Sequence, residues 1–506
     1  MKPPSPTVTY HAFGKQPLES LLRLDPPPFT TAEVFSQLRY VEHYAGELDC
    51  QTIVIETPYI DRDHMEDHST FYARNLTQYP NFCRRVHFFA KPSADVRRCL
   101  REAIEAGATA GLNAFRTKCS ELSRSYLGFA VIKPLHGSAV GRTVLRPYPD
   151  VPTEPDRAQQ FRRSFQGTRL YTTHLLGNEL TVRGLAFQQQ DAGVSACATT
   201  AIWSSLQKMS DHEDISPATP AQITALASRF SLPFGRAMPS EGLSIDQMCQ
   251  AIQAMGVAPN LLRPPDTATA KSYLYSAIKS GSAPILILQF HATYHAVVAP
   301  GMKLRIHGER VRDAADRLIG LYVHDDRTGP YRRASLASDG QTPCLVIPEA
   351  GESPESWLLT HIIVPIYPKN RLSLPGLVEA ALDVQGNVER LGELLGGFAE
   401  SLPEPQVTVD YWACRPHSYL SQQFEADDTQ PDLITTLFRT VPMPRYLGVI
   451  RASADWFGDV DLLIDTTSSR PNIQCLAAVA WTPNALSAWV AESLAEQYQC
   501  DTIRID

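Results

Sequence analysis

The stretch Phe187-Gln-Gln-Gln-Asp-Ala-Gly-Val-Ser-Ala-Cys-Ala-Thr-Thr-Ala-Ile-Trp-Ser-Ser-Leu206 changes character at Cys197. Up to Ala196 the residues after Phe187 are mostly polar or small and include Gly193, which suits a loop. From Cys197 onward, Ala201, Leu206 and their neighbours give a helical run, with Ser195 as its N-cap. Cys197 then falls in the first turn, where unpaired backbone N–H groups and the helix dipole favour a thiolate, the nucleophilic form of cysteine. Glutamines 188, 189 and 190 lie just upstream. An amide there can donate a hydrogen bond to a developing oxyanion beside the cysteine's own N–H.

A thiol nucleophile needs a base. Of the 14 histidines, one has a distinctive setting, Phe290-His-Ala-Thr-Tyr-His295-Ala-Val-Val-Ala-Pro-Gly301. His295 opens an apolar run that reads as a core strand; His291, four residues earlier, is its competitor. Further on, Leu318-Ile-Gly-Leu-Tyr-Val-His324 reads as a strand that runs into Asp325-Asp-Arg-Thr-Gly-Pro330. A carboxylate at that strand end can accept from the imidazole and fix its tautomer. Strand alternation does not choose between Asp325 and Asp326.

Taken together, Gln, then Cys at a helix start, then His-Ala-Val-Val, then strand-Asp-x-x-x-Gly resembles the papain-like cysteine peptidase superfamily. Within it the pattern is most similar to the bacterial double-glycine leader peptidase branch. The likeness covers about 185–335, less than a third of the chain. It implies an α+β central domain in which the helix carrying Cys197 packs on an antiparallel sheet. It also implies Cys197 as nucleophile, His295 as general base, Asp325 as orienting acid and an upstream glutamine, Gln190 ahead of Gln189, as oxyanion donor. A peptidase of this kind acts on a protein or peptide and needs no cofactor or metal. The same triad serves a transglutaminase, deamidase or amidase, and an inactive relative serves as a scaffold or sensor. The chain departs from the family in several places. Ser195-Ala-Cys-Ala replaces the C-G-[SA]-C-[WY] signature, and Ala198 stands where a glycine often follows the cysteine. Asp191 occupies the sixth position before Cys197, and about 100 positions separate Cys197 from His295 against roughly 130–150 in papain. No G-x-x-x-x-G-K-[ST] phosphate loop occurs, so the transporter-linked form of the family is not indicated.

The rest of the chain frames this segment. At 506 residues, roughly 150 per domain predicts about three domains. An apolar content of 43% can bury several cores, which excludes disorder as the dominant state. The net charge of −8 argues against an electrostatic grip on nucleic acid. Ten cysteines are scattered without a C-x-x-C pair, which fits neither a zinc ribbon nor a disulfide framework. The N-terminus lacks a signal-peptide layout, and no apolar run reaches the roughly 18 residues of a membrane span, so the cytoplasm is the expected location.

The densest proline run, 146–155, suggests a boundary before the central domain. We expect an N-terminal α/β accessory domain over 1–165, with strands at 51–56, 85–90 and 126–134 and one or two helices over 96–123. The papain-like domain is expected over 166–370, with helices after Cys197 and near 219–230 and 244–255, and strands at 284–290, 295–300, 319–324 and 358–365. A C-terminal α/β domain is expected over 371–506, with helices at 374–398 and 484–498 and strands at 407–412, 446–451, 460–464 and 474–481. The flanking domains are expected to set substrate choice or to meet a protein partner. Two further motifs invite a metal reading. His64 and His68 are spaced i, i+4, but Met65 replaces the zincin glutamate, so a charged helical face is expected. Asp461 and Asp465 share a strand face and read as a strand end running into a polar turn.

Overall fold

In the computed structural model the chain is α+β, and the structure describes residues 4–22, 36–76, 78–135, 137–191, 196–212, 215–229, 242–306, 311–348, 355–396, 406–424, 442–469 and 473–504. The first sheet is an antiparallel meander of β1 (Thr7–Ala12), β2 (Thr52–Tyr59), β3 (Cys83–Phe89), β4 (Tyr126–Ile132) and β5 (Val140–Leu145), paired in that order. Helices Ser93–Ala110 and Leu112–Ser123 cover one face, burying Val96, Leu100 and Leu122 against Phe89, Tyr126 and Phe129. The expected helical stretch is two helices because Gly111, at φ +86°, takes a backbone conformation that ends the first one. Helix Ser36–Glu47 covers the other face with Leu38, Val41, Tyr44 and Ala45.

The central sheet contains β6 (Phe161–Ser164) and then, after the separate hairpin β7 (Arg169–Leu175) and β8 (Asn178–Gly184), strands β9 (Ala258–Leu262), β10 (Ile285–Phe290), β11 (Thr293–Arg305), β12 (Leu318–Asp325), β13 (Gly329–Asp339), β14 (Thr342–Ile347) and β15 (Glu355–Ile366). Strand β10 pairs with both β11 and β15, so six antiparallel strands close on themselves, with β9 appended at β15 and β6 at β11. Alternation along β10 divides the packing. Leu286 and Leu288 join a core with Leu274 and Ile278 of helix Thr267–Lys279, whereas Ile285 and Ile287 face Ile202, Trp203 and Leu206 of the helix starting at Cys197. Each such fully buried aliphatic side chain contributes about 1.5–3 kcal/mol. Helices Pro220–Ala227 and Ile245–Ala254 complete this helical layer, each opened by a capping box, Thr219 with Gln222 and Ser244 with Gln247.

The third sheet comprises β16 (Thr408–Cys414), β17 (Leu447–Ala454), β18 (Gly458–Asp465), β19 (Cys475–Ala480) and β20 (Asp501–Arg504), paired in chain order. All pairs are antiparallel except β19–β20, which helix Ala485–Tyr498 joins as a parallel crossover. Helix Leu374–Gly396 packs on the same core as that crossover helix. The regions on either side of residue 165 are not separate bodies. Strand β6 pairs with β11, and one core unites Val54, Phe89 and Val131 of the first sheet with Ile202, Ile223 and Ile285 of the central region. No helix among the described residues is long and apolar enough to cross a membrane.

Candidate active site

Cys197 is the first residue of the helix Cys197–His212 and is half-buried. Its side chain lines a cleft of about 970 Å³ between the helical layer, which contributes Ile245 and Met248, and the closed sheet, which contributes Ile287, His295 and Leu359. The expected N-cap, Ser195, lies outside the described residues. His295 sits near the start of β11, opposite Leu288 of β10, and is buried. Its Nε2 donates to Asp325 Oδ1 at 2.8 Å, which leaves Nδ1 as the ring nitrogen available to the Cys197 thiol, a neighbour that lines the same cleft and helps to raise the imidazole. Helix start and strand start thus bring together residues about 100 positions apart in the chain.

Asp325, the last residue of β12, is the carboxylate that holds the ring. Its Oδ1 also accepts from the Arg327 backbone N–H at 3.0 Å, and the Arg327 Nε is 3.6 Å away. Asp326 Oδ1 stands 3.6 Å from the same ring nitrogen, beyond hydrogen-bond range. The turn that presents the pair depends on Gly329. Its φ is +137°, and a Cβ there would lie 2.0 Å from Cδ1 of Tyr40. Trp357 packs 5.9 Å from the His295 ring, and the Arg327 guanidinium lies 4.9 Å from the Trp357 ring centroid, so indole and guanidinium screen the pair from water. His291, the competing histidine, is exposed on the β10–β11 turn at φ +50°.

Burial alone opposes a charge on His295, but the Asp325 carboxylate and the thiol hydrogen bond outweigh it and raise the ring to about 10. Burial likewise opposes charge on Asp325, and the facing His295 and Arg327 overcome it and hold the carboxyl well below its ordinary range. Asp326 goes the other way: burial, with the neighbouring Asp325 charge added, outweighs the attraction of His295 and raises it to about 7. His324 is pushed down to about 3 by burial, which the Ala186 carbonyl only partly offsets, and its neutral ring stacks edge-on against Tyr331 at 4.6 Å.

The glutamines are placed differently from expectation. Residues 187–189 are not a free loop but run antiparallel to β5. Phe187 and Thr143 exchange backbone hydrogen bonds of 2.8 and 2.7 Å, and Gln189 N donates to Val140 O at 2.9 Å. The Gln189 amide is spent on the same strand and its turn, accepting from Val140 N at 3.2 Å and donating to Gly137 O at 3.0 Å. Gln190 is half-buried and lines neither the cleft nor the small void beside Cys197. Gln188, turned to the opposite side of the extended segment, does line that void together with Cys197, and its buried Nε2 has no partner among the described residues. Of the three amides, Gln188 is the one free to serve the thiol. No local signal in the sequence finds this: alternation along an extended backbone sets Gln188 and Gln190 together against Gln189, and it is the remote pairing with β5 that commits Gln189.

The remaining motifs are structural. His64 and His68 each bond a different carbonyl through Nε2, Pro80 O and Tyr79 O, both at 3.0 Å. Their helix Arg62–Thr70 is not a solvated face: Asp63, His64 and Asp67 are buried, with Asp63 accepting from Trp203 Nε1 at 3.1 Å and paired with Arg142 at 2.7 Å. Beside them Lys133 and Asp191 form a buried ion pair at 3.3 Å, which ties the end of the Gln188 segment to the first sheet. Asp461 is held by Arg451 through two 2.7 Å hydrogen bonds, while Asp465 accepts from the Thr467 N–H. Among the described residues one group has metal-compatible spacing, the donor atoms of His295, Asp325 and Asp326 lying within 4.8 Å of one another, and its imidazole Nε2 is already engaged by Asp325. No protein-family model matches this sequence, and no curated protein does.

Proposed function

We propose that the chain is a cysteine hydrolase built on a papain-like arrangement of a nucleophile helix against a closed antiparallel sheet. More particularly, we infer a peptidase. The observation that carries this reading is the Cys197–His295–Asp325 constellation, with Cys197 and His295 lining one cleft and His295 Nε2 2.8 Å from the Asp325 carboxylate. His295 takes the thiol proton, and the sulfur attacks the substrate carbonyl to form a tetrahedral oxyanion. The backbone N–H of Cys197 and the Gln188 amide donate to that oxygen. His295 then delivers its proton to the leaving amine, giving an acyl-enzyme. Water, deprotonated by the same ring, attacks the acyl carbon and releases the acid and the free thiol.

Alkylation by iodoacetamide, mapped by mass spectrometry, tests the nucleophile. Cys197 is expected to react fastest of the ten cysteines, and His295→Ala to slow it by about 10²-fold or more. Uniform reactivity across the cysteines would defeat the reading. A peptide library then identifies the acceptor: shortened chains mark a peptidase, new crosslinks a transferase and one-dalton gains a deamidase.

A further inference from the structure

Beside Cys197, adjoining the cleft at Cys197 and Ala296, lies a void of about 10 Å³ lined by Gln188, Cys197, Thr200, Ser204, His324 and Asp326 among others. That is close to the space one water molecule needs. Its polar lining is unbalanced. Gln188 Nε2 is a buried donor and both Asp326 carboxyl oxygens are buried acceptors, and none has a hydrogen-bond partner among the described residues. The hydroxyls of Ser204 and Thr200 have given their protons to the Ala186 and Ala196 carbonyls at 2.6 and 3.2 Å, and so can only accept. A donor and acceptors that surround one void without bonding each other are completed by a molecule that both accepts and donates.

We propose that this void is the site of one ordered water, which accepts from the Gln188 amide and donates to Asp326, and that Asp326 is thereby a positioning residue for the oxyanion donor. The water's second proton has as acceptor the Ser204 or Thr200 oxygen or the unprotonated nitrogen of the neutral His324 ring, which lines the same void without a hydrogen-bond partner among the described residues. With one Nε2 hydrogen bonded to the water, the amide cannot flip its oxygen inward, and its second hydrogen stays available beside Cys197. The water site stands on the void and its lining alone; the role in catalysis rests on the proposed hydrolase reading.

The test has two arms. A crystal structure of the full chain carrying Cys197→Ala is expected to show a density peak within hydrogen-bond distance of Gln188 Nε2 and an Asp326 oxygen. An empty void, or a direct Gln188–Asp326 bond, overturns the proposal. The second arm compares acylation by a p-nitrophenyl ester, which builds an oxyanion, with alkylation by iodoacetamide, which does not. Gln188→Ala is expected to lower the acylation-to-alkylation ratio by roughly 10²-fold, as for loss of an oxyanion donor. Asp326→Leu is expected to lower that ratio by about tenfold or more, and Asp326→Asn, which keeps an acceptor of the same shape, to restore most of it. Equal loss in both reactions marks a change at His295 or in folding, and removes Asp326 from the positioning role. A wild-type chain that is never acylated while the water is present would sink the hydrolase reading and leave the water site standing.

Discussion

At the scale of single residues, the site works by setting two neighbouring acids against each other. Asp325 is held ionised by His295 and by the Arg327 N–H, whereas Asp326, one position on, lacks those donors and is raised by burial. The pair of His295 and Asp325 therefore has a definite pH signature. The depressed carboxyl contributes stability above its unfolded value of about 3.9 and loses it as pH falls toward the folded value. The raised imidazole contributes fully below about 6.5 and loses its part as pH rises through about 10. The excess of the wild-type melting temperature over that of His295→Ala is thus expected to be widest between roughly pH 4 and 6.5 and to narrow on both sides. A margin that stays flat from pH 4 to 10 in thermal melts would show that the ring is not charged in the folded protein.

At the scale of elements, each residue of the proposed triad stands at an end: a helix start, a strand start, a strand end. The β12–β13 turn is the most exacting of these, because Gly329 combines a positive φ with contact to the Tyr40 ring. Gly329→Ala is expected to cost about 1–3 kcal/mol from backbone strain alone, and more from the ring contact, seen as a lower melting temperature together with slower Cys197 alkylation. Tyr40→Ala in the same chain should recover only the part owed to the ring. These ends were legible in the sequence because composition changes sharply at Cys197, at His295 and after His324. The long strands and helices were legible for the same reason, the helix over 374–396 and strand β18 among them. What escaped were elements whose partners lie far away in the chain. Strand β6 is four residues long and is defined by β11, and the segment 187–189 looks like a polar loop until β5 is beside it. The acids and histidine of helix Arg62–Thr70 likewise read as solvated because Trp203, Arg142 and Lys133, which enclose them, are remote in sequence.

At the scale of the whole molecule, the described residues form three large sheets and the β7–β8 hairpin, and the first two sheets share a core. The core beneath the Cys197 helix takes side chains from the first sheet, from the β7–β8 hairpin and from β10 and β11. The third sheet has its own apolar cores and is tied to the central region mainly by polar links, among them the Val409 N–H to Arg312 O at 2.9 Å, Tyr411 to Asp313, Tyr275 and Lys279 to Asp410, and the Ala413 N–H to Ser280 Oγ. A chain cut to residues 166–370 is therefore expected to show no cooperative thermal transition, whereas one cut to 1–370 should keep a sharp one and a reactive Cys197. A sharp melt for 166–370 would contradict the shared core.

The pairing of residues 187–189 with β5 has a consequence beyond the site. Strand β5 ends its sheet, and an unpaired terminal strand offers its amides and carbonyls to any other copy of the chain. The segment that carries Gln188 closes part of that border, from Val140 to Thr143. The same few backbone bonds that hold Gln188 beside the void next to Cys197 also guard against strand-to-strand self-association. Substitutions that loosen this segment should accordingly be recognised first by chains adhering to one another, at protein concentrations where the intact fold stays dispersed.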